Sequence, residues 1–537
     1  MKKIDCIFAS ALVLLGALQA CTKTYVKEIV DENQTGNTVV EDDDISKLLK
    51  TIPGVSHVEI KLPESKTGSQ VKQYFFFYTQ PVDHYAPAQG LFYQRVALQL
   101  KDLAKPVVVI TQGYELSMDG KAVKEDNLTT LLDANLVEIE FRYFGQSQPE
   151  DMNNVEFTYL YSDQSAYDIH NIVAVLKANV FKNGNKWIAT GASKGGITST
   201  LHAYYADLNG WKDFDLYVPF CAPFLPGSAQ SPLDASVGKY VLTNCGAGYP
   251  AGSIEAVGYA NLQKILQQSV SKPILRNAIL CRFHQESPDQ YLTIMNQLKG
   301  ATEDRMLAGF LLGYMETLLT RFSDVPFSDW AQRVPDPDLI KDEQEESIMM
   351  SPLDQVLFFI FMSEQDFKDL VYAKEAGEDE DTKAIHTADD MLPLRNNPEY
   401  SLAYSVASVR ELGAVGMDFS WLPSGSFLTP EVGYAVEYLA TGRAREMDYY
   451  EGQWDGGKLM QSVRSWIADS QQKMVFVYGT NDPWTGGAID DAAAQANPNV
   501  VKVLNFGGCH NDSFLNAKQF TPQARKQIEE AVRNFLK

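Results

Sequence analysis

The stretch Trp187-Ile-Ala-Thr-Gly-Ala-Ser-Lys-Gly-Gly-Ile-Thr-Ser-Thr-Leu-His202 decides how this chain is read. Its first four residues are apolar or β-branched and predict a short buried strand, and from Lys194 onward the pattern is helical. Between the two lies Gly191-Ala192-Ser193-Lys194-Gly195, a G-x-S-x-G sequence with a strand before it and a helix after it, which is the context of a nucleophile elbow. A turn that passes from strand to helix in so few residues leaves no room for side chains beside it, so small residues must flank the serine, whose hydroxyl is left exposed.

Working outward, strands alternate with helices. Upstream, Pro106-Val-Val-Val-Ile-Thr111 and Leu136-Val-Glu-Ile-Glu-Phe141 read as strands and residues 127–133 as a helix. Residues 162–180 predict a longer helix, with Ser162 as N-cap and Ile169, Ile172, Val173 and Leu176 on one face. Earlier still, Tyr74-Phe-Phe-Phe-Tyr78 and the run from Leu91 to Leu100, separated by Pro81, Pro87 and Gly90, read as two strands joined by a turn. After Leu216-Tyr-Val-Pro-Phe220 the alternation stops, and residues 226–472 carry mainly helical patterns, among them 306–322, 352–373 and 400–412. It resumes with Lys473-Met-Val-Phe-Val-Tyr478, Val500-Val-Lys-Val-Leu504 and a closing amphipathic helix over 522–536. Alternation of this kind predicts an α/β class with a largely parallel sheet. With the elbow, it predicts an α/β-hydrolase fold formed by residues 71–225 and 473–537, with a large helical cap, 226–472, inserted between two strands of the sheet. The 537 residues exceed the roughly 250–300 at which a single core stops growing, which fits such an insertion.

A serine hydroxyl needs a base to take its proton. The histidines after Ser193 are His202, His284, His386 and His510. His510 follows a strand, in Gly507-Gly-Cys-His-Asn-Asp512, and is the expected general base; His202 reads as a packing or surface residue, and His284 and His386 fall in the insertion. The orienting acid belongs after the preceding strand, where Tyr478-Gly-Thr-Asn-Asp-Pro-Trp484 offers Asp482, with Asp490 and Asp491 as alternatives. The chain order Ser, Asp, His is that of the fold. Two N–H groups should receive the developing oxyanion: that of Lys194, and that of Tyr114 in Gln112-Gly-Tyr-Glu115, where Gly113 lets the loop approach closely.

Composition excludes other classes. Hydrophobic residues make up 45% and charged residues 21%, ordinary for a globular protein, and the net charge of −23 repels nucleic acid and anionic membranes. Lys2 and Lys3 precede the apolar run from Ile7 to Leu18, and Leu18-Gln-Ala-Cys21 closes it. Residues 1–20 read as a signal peptide, and the terminal cysteine resembles a bacterial lipobox, implying a lipid on Cys21 and a membrane-anchored protein on the periplasmic or cell-surface face. The apolar run is shorter than the roughly 20 residues that span a bilayer. Residues 21–70, with Glu41-Asp-Asp-Asp44, read as a flexible acidic tether, and the acidic run 375–381 as a solvated loop. The apolar run Val356-Leu-Phe-Phe-Ile-Phe-Met362 lies between Asp354 and Glu364 and reads as a turn or two of buried helix. Past Cys21 the cysteines are Cys221, Cys245, Cys281 and Cys509, with no CxxC pair and no metal spacing; Cys245–Cys281 is the disulfide an oxidising compartment would favour.

Phe141-Arg-Tyr-Phe-Gly-Gln-Ser147, Gly191-Ala-Ser-Lys-Gly-Gly196, Asn481-Asp-Pro-Trp-Thr-Gly-Gly487 and Gly508-Cys-His510 together resemble the prolyl tripeptidyl aminopeptidase family of bacterial serine peptidases. They are similar, more distantly, to lysosomal prolyl carboxypeptidase and its dipeptidyl-peptidase sibling, whose opening strands Gln80-Pro-Val-Asp-His84 and Tyr93-Gln-Arg95 also resemble. The resemblance implies an exopeptidase that releases tripeptides from free N-termini, often after proline, beneath a helical cap that admits short or unfolded chains. Lys194 after the serine, where the lysosomal relatives have tyrosine, favours the tripeptidyl branch. Such an enzyme must bind a substrate ammonium, and Glu115 is the candidate carboxylate. Arg142 reads as one half of a structural ion pair. The chemistry requires no cofactor and no metal. Competing readings are a carboxylic-ester hydrolase of the same fold and a non-catalytic peptide-binding lipoprotein.

Overall fold

The computed structural model describes residues 24–25, 41–63, 71–123, 126–151, 155–227, 236–286, 288, 303–341, 350–372, 403–404, 406–413, 453–514 and 516–537. The expected signal peptide, Cys21, His386 and the acidic run 375–381 lie outside them. The chain divides into two compact units, one ending at Asp215 and one beginning at Leu216.

The first unit carries six main strands in one sheet, with the two-residue strand Thr24–Tyr25 paired parallel to Leu91 and Phe92 beside them. The six are β1 (Val55–Lys61), β2 (Lys72–Pro81), β3 (Leu91–Leu100), β4 (Val107–Thr111), β5 (Asn135–Ile139) and β6 (Trp187–Ala192), in spatial order β6-β4-β5-β3-β2-β1. β1, β2, β3 and β5 pair antiparallel in turn, while β4 runs parallel to β5 and β6. The exchange of β4 and β5 relative to chain order is what a right-handed crossover at the centre of an α/β-hydrolase sheet produces. Val107, Val108, Val109, Ile188 and Ala189 are fully buried, as expected for strands covered on both faces.

Residues 44–61, read from their charge as tether, are folded instead. Asp43 caps a helix, α1 (Asp44–Thr51), by accepting from the N–H groups of Ile45 and Ser46. The same carboxylate takes bonds from Lys72 Nζ at 2.6 Å and Tyr74 Oη at 2.7 Å, and Leu49 and Ile52 are buried beneath the helix. Capping and pairing turn part of an apparently solvated acidic run into a structural element. A second correction concerns α3 (Ser162–Asn179), which follows the short α2 (Asn127–Leu132): Ser162 is its first helical residue, and Tyr161 holds the N-cap position without a side-chain bond.

In the second unit, β8 (Met474–Gly479) lies between β7 (Leu216–Phe220) and β9 (Val500–Asn505), all three parallel. The helical insertion therefore separates two neighbouring strands, β7 and β8. The two compact units part after Asp215, and β7, held by its ladder to β8, belongs with the second. The insertion has its own apolar core, in which Leu262, Ile279, Leu318, Phe322, Trp330 and Phe359 are buried. Among the described residues its longest helix spans Glu303–Asp324. The single helix expected over 352–373 is two, Pro352–Phe361 and Glu364–Tyr372. The buried Arg321 guanidinium takes the carbonyls of Phe359 and Met362, and Ser363 then caps the next helix through the Asp366 N–H. Residues 408–412 form one wide helical turn.

The four cysteines 221, 245, 281 and 509 are free, so the expected Cys245–Cys281 pairing is not made. Leu275, Ile279 and Phe283 are the buried stripe of helix Pro273–Glu286, and Cys281 stands on the opposite, exposed side, whereas Cys245 is buried. Among the described residues no helix is long and apolar enough to cross a membrane.

Candidate active site

In the first unit, β6 ends at Ala192 and α4 (Lys194–Asn209) begins two residues later. Ser193 makes the connection with φ 54° and ψ −123°, a conformation that non-glycine residues avoid and that persists only where the surroundings impose it. Gly191 is required beside it: a Cβ there would lie 2.4 Å from the carbonyl carbon of Gly195. The β4 strand braces the elbow, since Thr111 Oγ1 donates to the carbonyls of Thr190 at 3.1 Å or Gly195 at 3.2 Å.

The loop after β4 meets the start of α4 closely. A Cβ on Gly113 would lie 2.8 Å from both the Gly195 nitrogen and Lys194 Cβ. Lys194, buried, extends its ammonium over the Phe141 ring at 3.3 Å, with Phe144 and Tyr114 around it, and donates to the Gly113 carbonyl at 2.6 Å. Burial drives its pKa well below the ordinary lysine value. The bond has a directional effect. In a planar trans peptide the C=O and the following N–H point to opposite sides, so holding the Gly113 carbonyl aims the Tyr114 N–H. The Tyr114 carbonyl is held too, by the Phe141 N–H at 2.9 Å.

Two residues that the sequence reading passed over brace this loop from below. Glu138, buried on β5, accepts from the N–H groups of Ser117 and Met118 and from Ser117 Oγ. Glu140, also buried, accepts from Leu116 N–H, Gln146 N–H and Ser147 Oγ; burial raises its pKa to about 7 despite those donors and the nearby Arg95 charge. Two carboxylates at alternate positions of an otherwise apolar strand were the signal available in Leu136-Val-Glu-Ile-Glu-Phe141. Glu115, on the same loop, is half-buried, its pKa raised by desolvation, and makes no hydrogen bond or ion pair among the described residues. Arg142 is structural: its Nε and Nη2 grip Asp168 at 2.7 and 2.8 Å, and Nη1 donates to the carbonyls of Val82 and Tyr159. His202 is buried on α4, with Nε2 3.2 Å from Asp213.

In the second unit the candidate acid and base meet. Asp482 follows β8 and is fully buried; its Oδ1 accepts from Trp484 N–H at 3.0 Å, starting a short helical turn, and its Oδ2 lies 2.9 Å from His510 Nδ1. Asp482 thus serves as turn-former and as imidazole partner with different oxygens. For His510, burial is the largest influence and disfavours the cation, yet the Asp482 charge and hydrogen bond, with Asp324 beyond, outweigh it and leave the pKa raised. The His510 N–H donates to the Ser323 carbonyl, at the end of the long insertion helix, and Asp512 Oδ2 closes the loop on the Cys509 N–H at 2.8 Å. Asp490 and Asp491 are engaged elsewhere, with Arg464 and Lys502. His284 stands exposed on its insertion helix. The candidate nucleophile belongs to the first unit and the acid–base pair to the second.

Residues 39–228 match the family described as PS-10 peptidase S37. A prolyl tri/tetrapeptidyl aminopeptidase of Streptomyces mobaraensis is 32% identical over 212 residues, 39% of this chain and 40% of that protein. The match therefore spans about two fifths of the relative's length. These findings bear out the resemblance to the prolyl tripeptidyl aminopeptidases. Similar solved structures include VinJ, 12% identical over 90% of this chain and 98% of that one with a TM-score of 0.36. The rice cell wall degrading esterase LipA of Xanthomonas oryzae is 11% identical over 90% and 96%, with a TM-score of 0.34. At these values the α/β-hydrolase fold rests on the strand order and the elbow described above.

Proposed function

We propose that this chain is a serine exopeptidase that releases tripeptides from the free N-termini of peptides, preferring proline at the acyl position, through an acyl-enzyme on Ser193. The observation that carries the reading is the strained Ser193 elbow, built onto a loop whose peptide Lys194 holds in one orientation. His510, oriented by Asp482 through Nδ1, takes the Ser193 proton on Nε2 as Oγ bonds to the carbonyl carbon of the third substrate residue. The N–H groups of Lys194 and Tyr114 receive the oxyanion, and in preorganised sites each such donor contributes roughly 2.7–4 kcal/mol of barrier lowering. As the C–N bond breaks, Nε2 returns the proton to the leaving amine; water, deprotonated by the same nitrogen, then frees the tripeptide.

Glu115 receives the substrate ammonium. A half-buried carboxylate with no cation opposite it among the described residues is poised for one, and it lies next to the proposed oxyanion donor in the chain. Residues 1–20 export the protein and a lipid on Cys21 anchors it, a reading supported by the charged, apolar and small-residue order of that segment.

The test is mass spectrometry of Ala-Ala-Pro-Ala-Phe, free and N-acetylated, incubated with the protein and with Ser193→Ala. Release of Ala-Ala-Pro from the free peptide alone, by the unsubstituted protein alone, is the expected result. Ser193-dependent turnover of an aryl ester without peptide cleavage would keep the nucleophile and replace the peptidase with an esterase.

A further inference from the structure

Cys221 belongs to no part of the proposed reaction, yet it stands at the acid–base pair. It follows β7, where its N–H continues the ladder to β8 by donating to the Val477 carbonyl at 2.8 Å. Its φ of 49° is left-handed backbone that a side-chain-bearing residue rarely adopts and that glycine would take without strain. The thiol is buried and lies 3.4 Å from the His510 carbonyl oxygen. One ligand atom from each of Cys221, Asp482 and His510 lies within 4.8 Å of the others. His510 presents Nδ1 to Asp482 Oδ2, 2.9 Å away.

We propose that Cys221 Sγ, Asp482 Oδ2 and His510 Nδ1 form an inhibitory site for a thiophilic divalent cation of the zinc and cadmium class. A thiolate, an imidazole and a carboxylate are the donors such ions select, whereas magnesium and calcium take oxygen sets. Tetrahedral bonds of about 2.0–2.3 Å set donor atoms roughly 3.3–3.7 Å apart, so Asp482 Oδ2 and His510 Nδ1 spread slightly from their 2.9 Å contact while the sulfur, within 4.8 Å of both donors, needs only a small shift. Thiolate and carboxylate together neutralise the two positive charges, so the loaded site buries no net charge. Three protein donors leave a fourth position for water.

The consequence for the imidazole follows from its two nitrogens. With Nδ1 bound to the ion, the ring proton resides on Nε2, and the ring has no lone pair left with which to accept a proton. The thiol proton leaves to solvent, one per ion bound. Loss of activity on loading rests on the proposed role of His510; the binding itself does not.

The experiment titrates the full chain with Zn²⁺ against a chromogenic chelator, and with Cd²⁺ while following the ultraviolet cadmium–thiolate charge-transfer band. One ion per chain is expected, with Cys221→Ala and His510→Ala each weakening it by about tenfold or more, the loss typical of disturbing a metal's ligand set. Cys281→Ser, which alters the exposed cysteine, leaves the affinity unchanged. Should Cys221→Ala fail to fold by circular dichroism, Cys221→Ser serves, since the cadmium band needs sulfur. Absence of the band, or an affinity that Cys221 substitution does not alter, overturns the proposal. In a parallel arm, Zn²⁺ slows fluorophosphonate labelling of Ser193 and a chelator restores it; binding as predicted with undiminished labelling keeps the site and overturns the role given to His510.

Discussion

Lys194 and His510 are both basic side chains held away from water, one in each unit, and burial pushes the pKa of each downward. They end on opposite sides of their ordinary values. Lys194 is surrounded by Phe141, Phe144 and Tyr114 and donates to a carbonyl, but it meets no carboxylate among the described residues, so desolvation of its ammonium prevails. His510 has the Asp482 carboxylate at 2.9 Å, and that charge more than offsets the same penalty. The difference matches the roles proposed for the two groups. A donor that holds a loop in place can be neutral and still donate, whereas a base that must become an imidazolium needs its counter-charge in position beforehand.

The comparison breaks most sharply at Asp482. Asp482→Asn retains the size and the Trp484 contact but removes the counter-charge, and kcat should fall by about 10⁴-fold, as loss of the orienting carboxylate does in serine peptidases. A fall of less than tenfold, measured in steady state, would remove Asp482 from the triad. Lys194→Met keeps most of the volume and deletes the donor to Gly113, so the Tyr114 N–H loses its fixed direction. The expected fall in kcat is about 10²-fold, the scale of one oxyanion donor, with KM little changed. An effect on KM alone would make Lys194 a packing residue.

Glu140 sharpens the comparison from the side of stability. A carboxyl whose folded pKa is raised from 4.5 to about 7 holds a proton that the unfolded chain releases. Its contribution is complete below pH 4.5 and is lost as pH rises through 7, a change of about 3 kcal/mol over that window. Denaturant unfolding at several pH values should follow that slope, and Glu140→Gln should flatten it. Asp512, raised to about 7 by burial first and the Asp482 charge after, adds a slope of the same sign in the second unit. The smallest effect is the acid limb of kcat/KM. Because the raised His510 must be neutral to act, the rate should climb tenfold per pH unit up to a midpoint above the ordinary histidine value of about 6.5 and then level. In Asp482→Asn the midpoint should move down.

Much of this was legible before folding. Strand-to-helix passage around Gly191-Ala-Ser-Lys-Gly195, and the loops after 473–478 and 500–504, are local features, so periodicity and small residues sufficed to single out Ser193, Asp482 and His510 as candidates. The tether over 44–61 was misjudged because charge alone does not reveal that Asp43 will cap a helix and pair with Lys72, 29 residues away. Glu138 was passed over because its partners, Ser117 and Met118, lie about twenty residues earlier in the chain, and Glu140 because it ties Leu116 of that loop to Gln146 and Ser147 on its other side.

The sequence by itself determined the α/β-hydrolase plan, the insertion between two strands and the residue types at the elbow, because these depend on periodicity and on sterics within a few residues. Only the tertiary structure decided the rest: that the lysine next to Ser193 reaches the Gly113 carbonyl, that Asp482 faces His510 with one oxygen and its own turn with the other, and that Cys221 arrives beside them. Those outcomes depend on which distant groups burial forces to share one small, dry volume, where an unpaired charge or polar group is costly and each must find a partner.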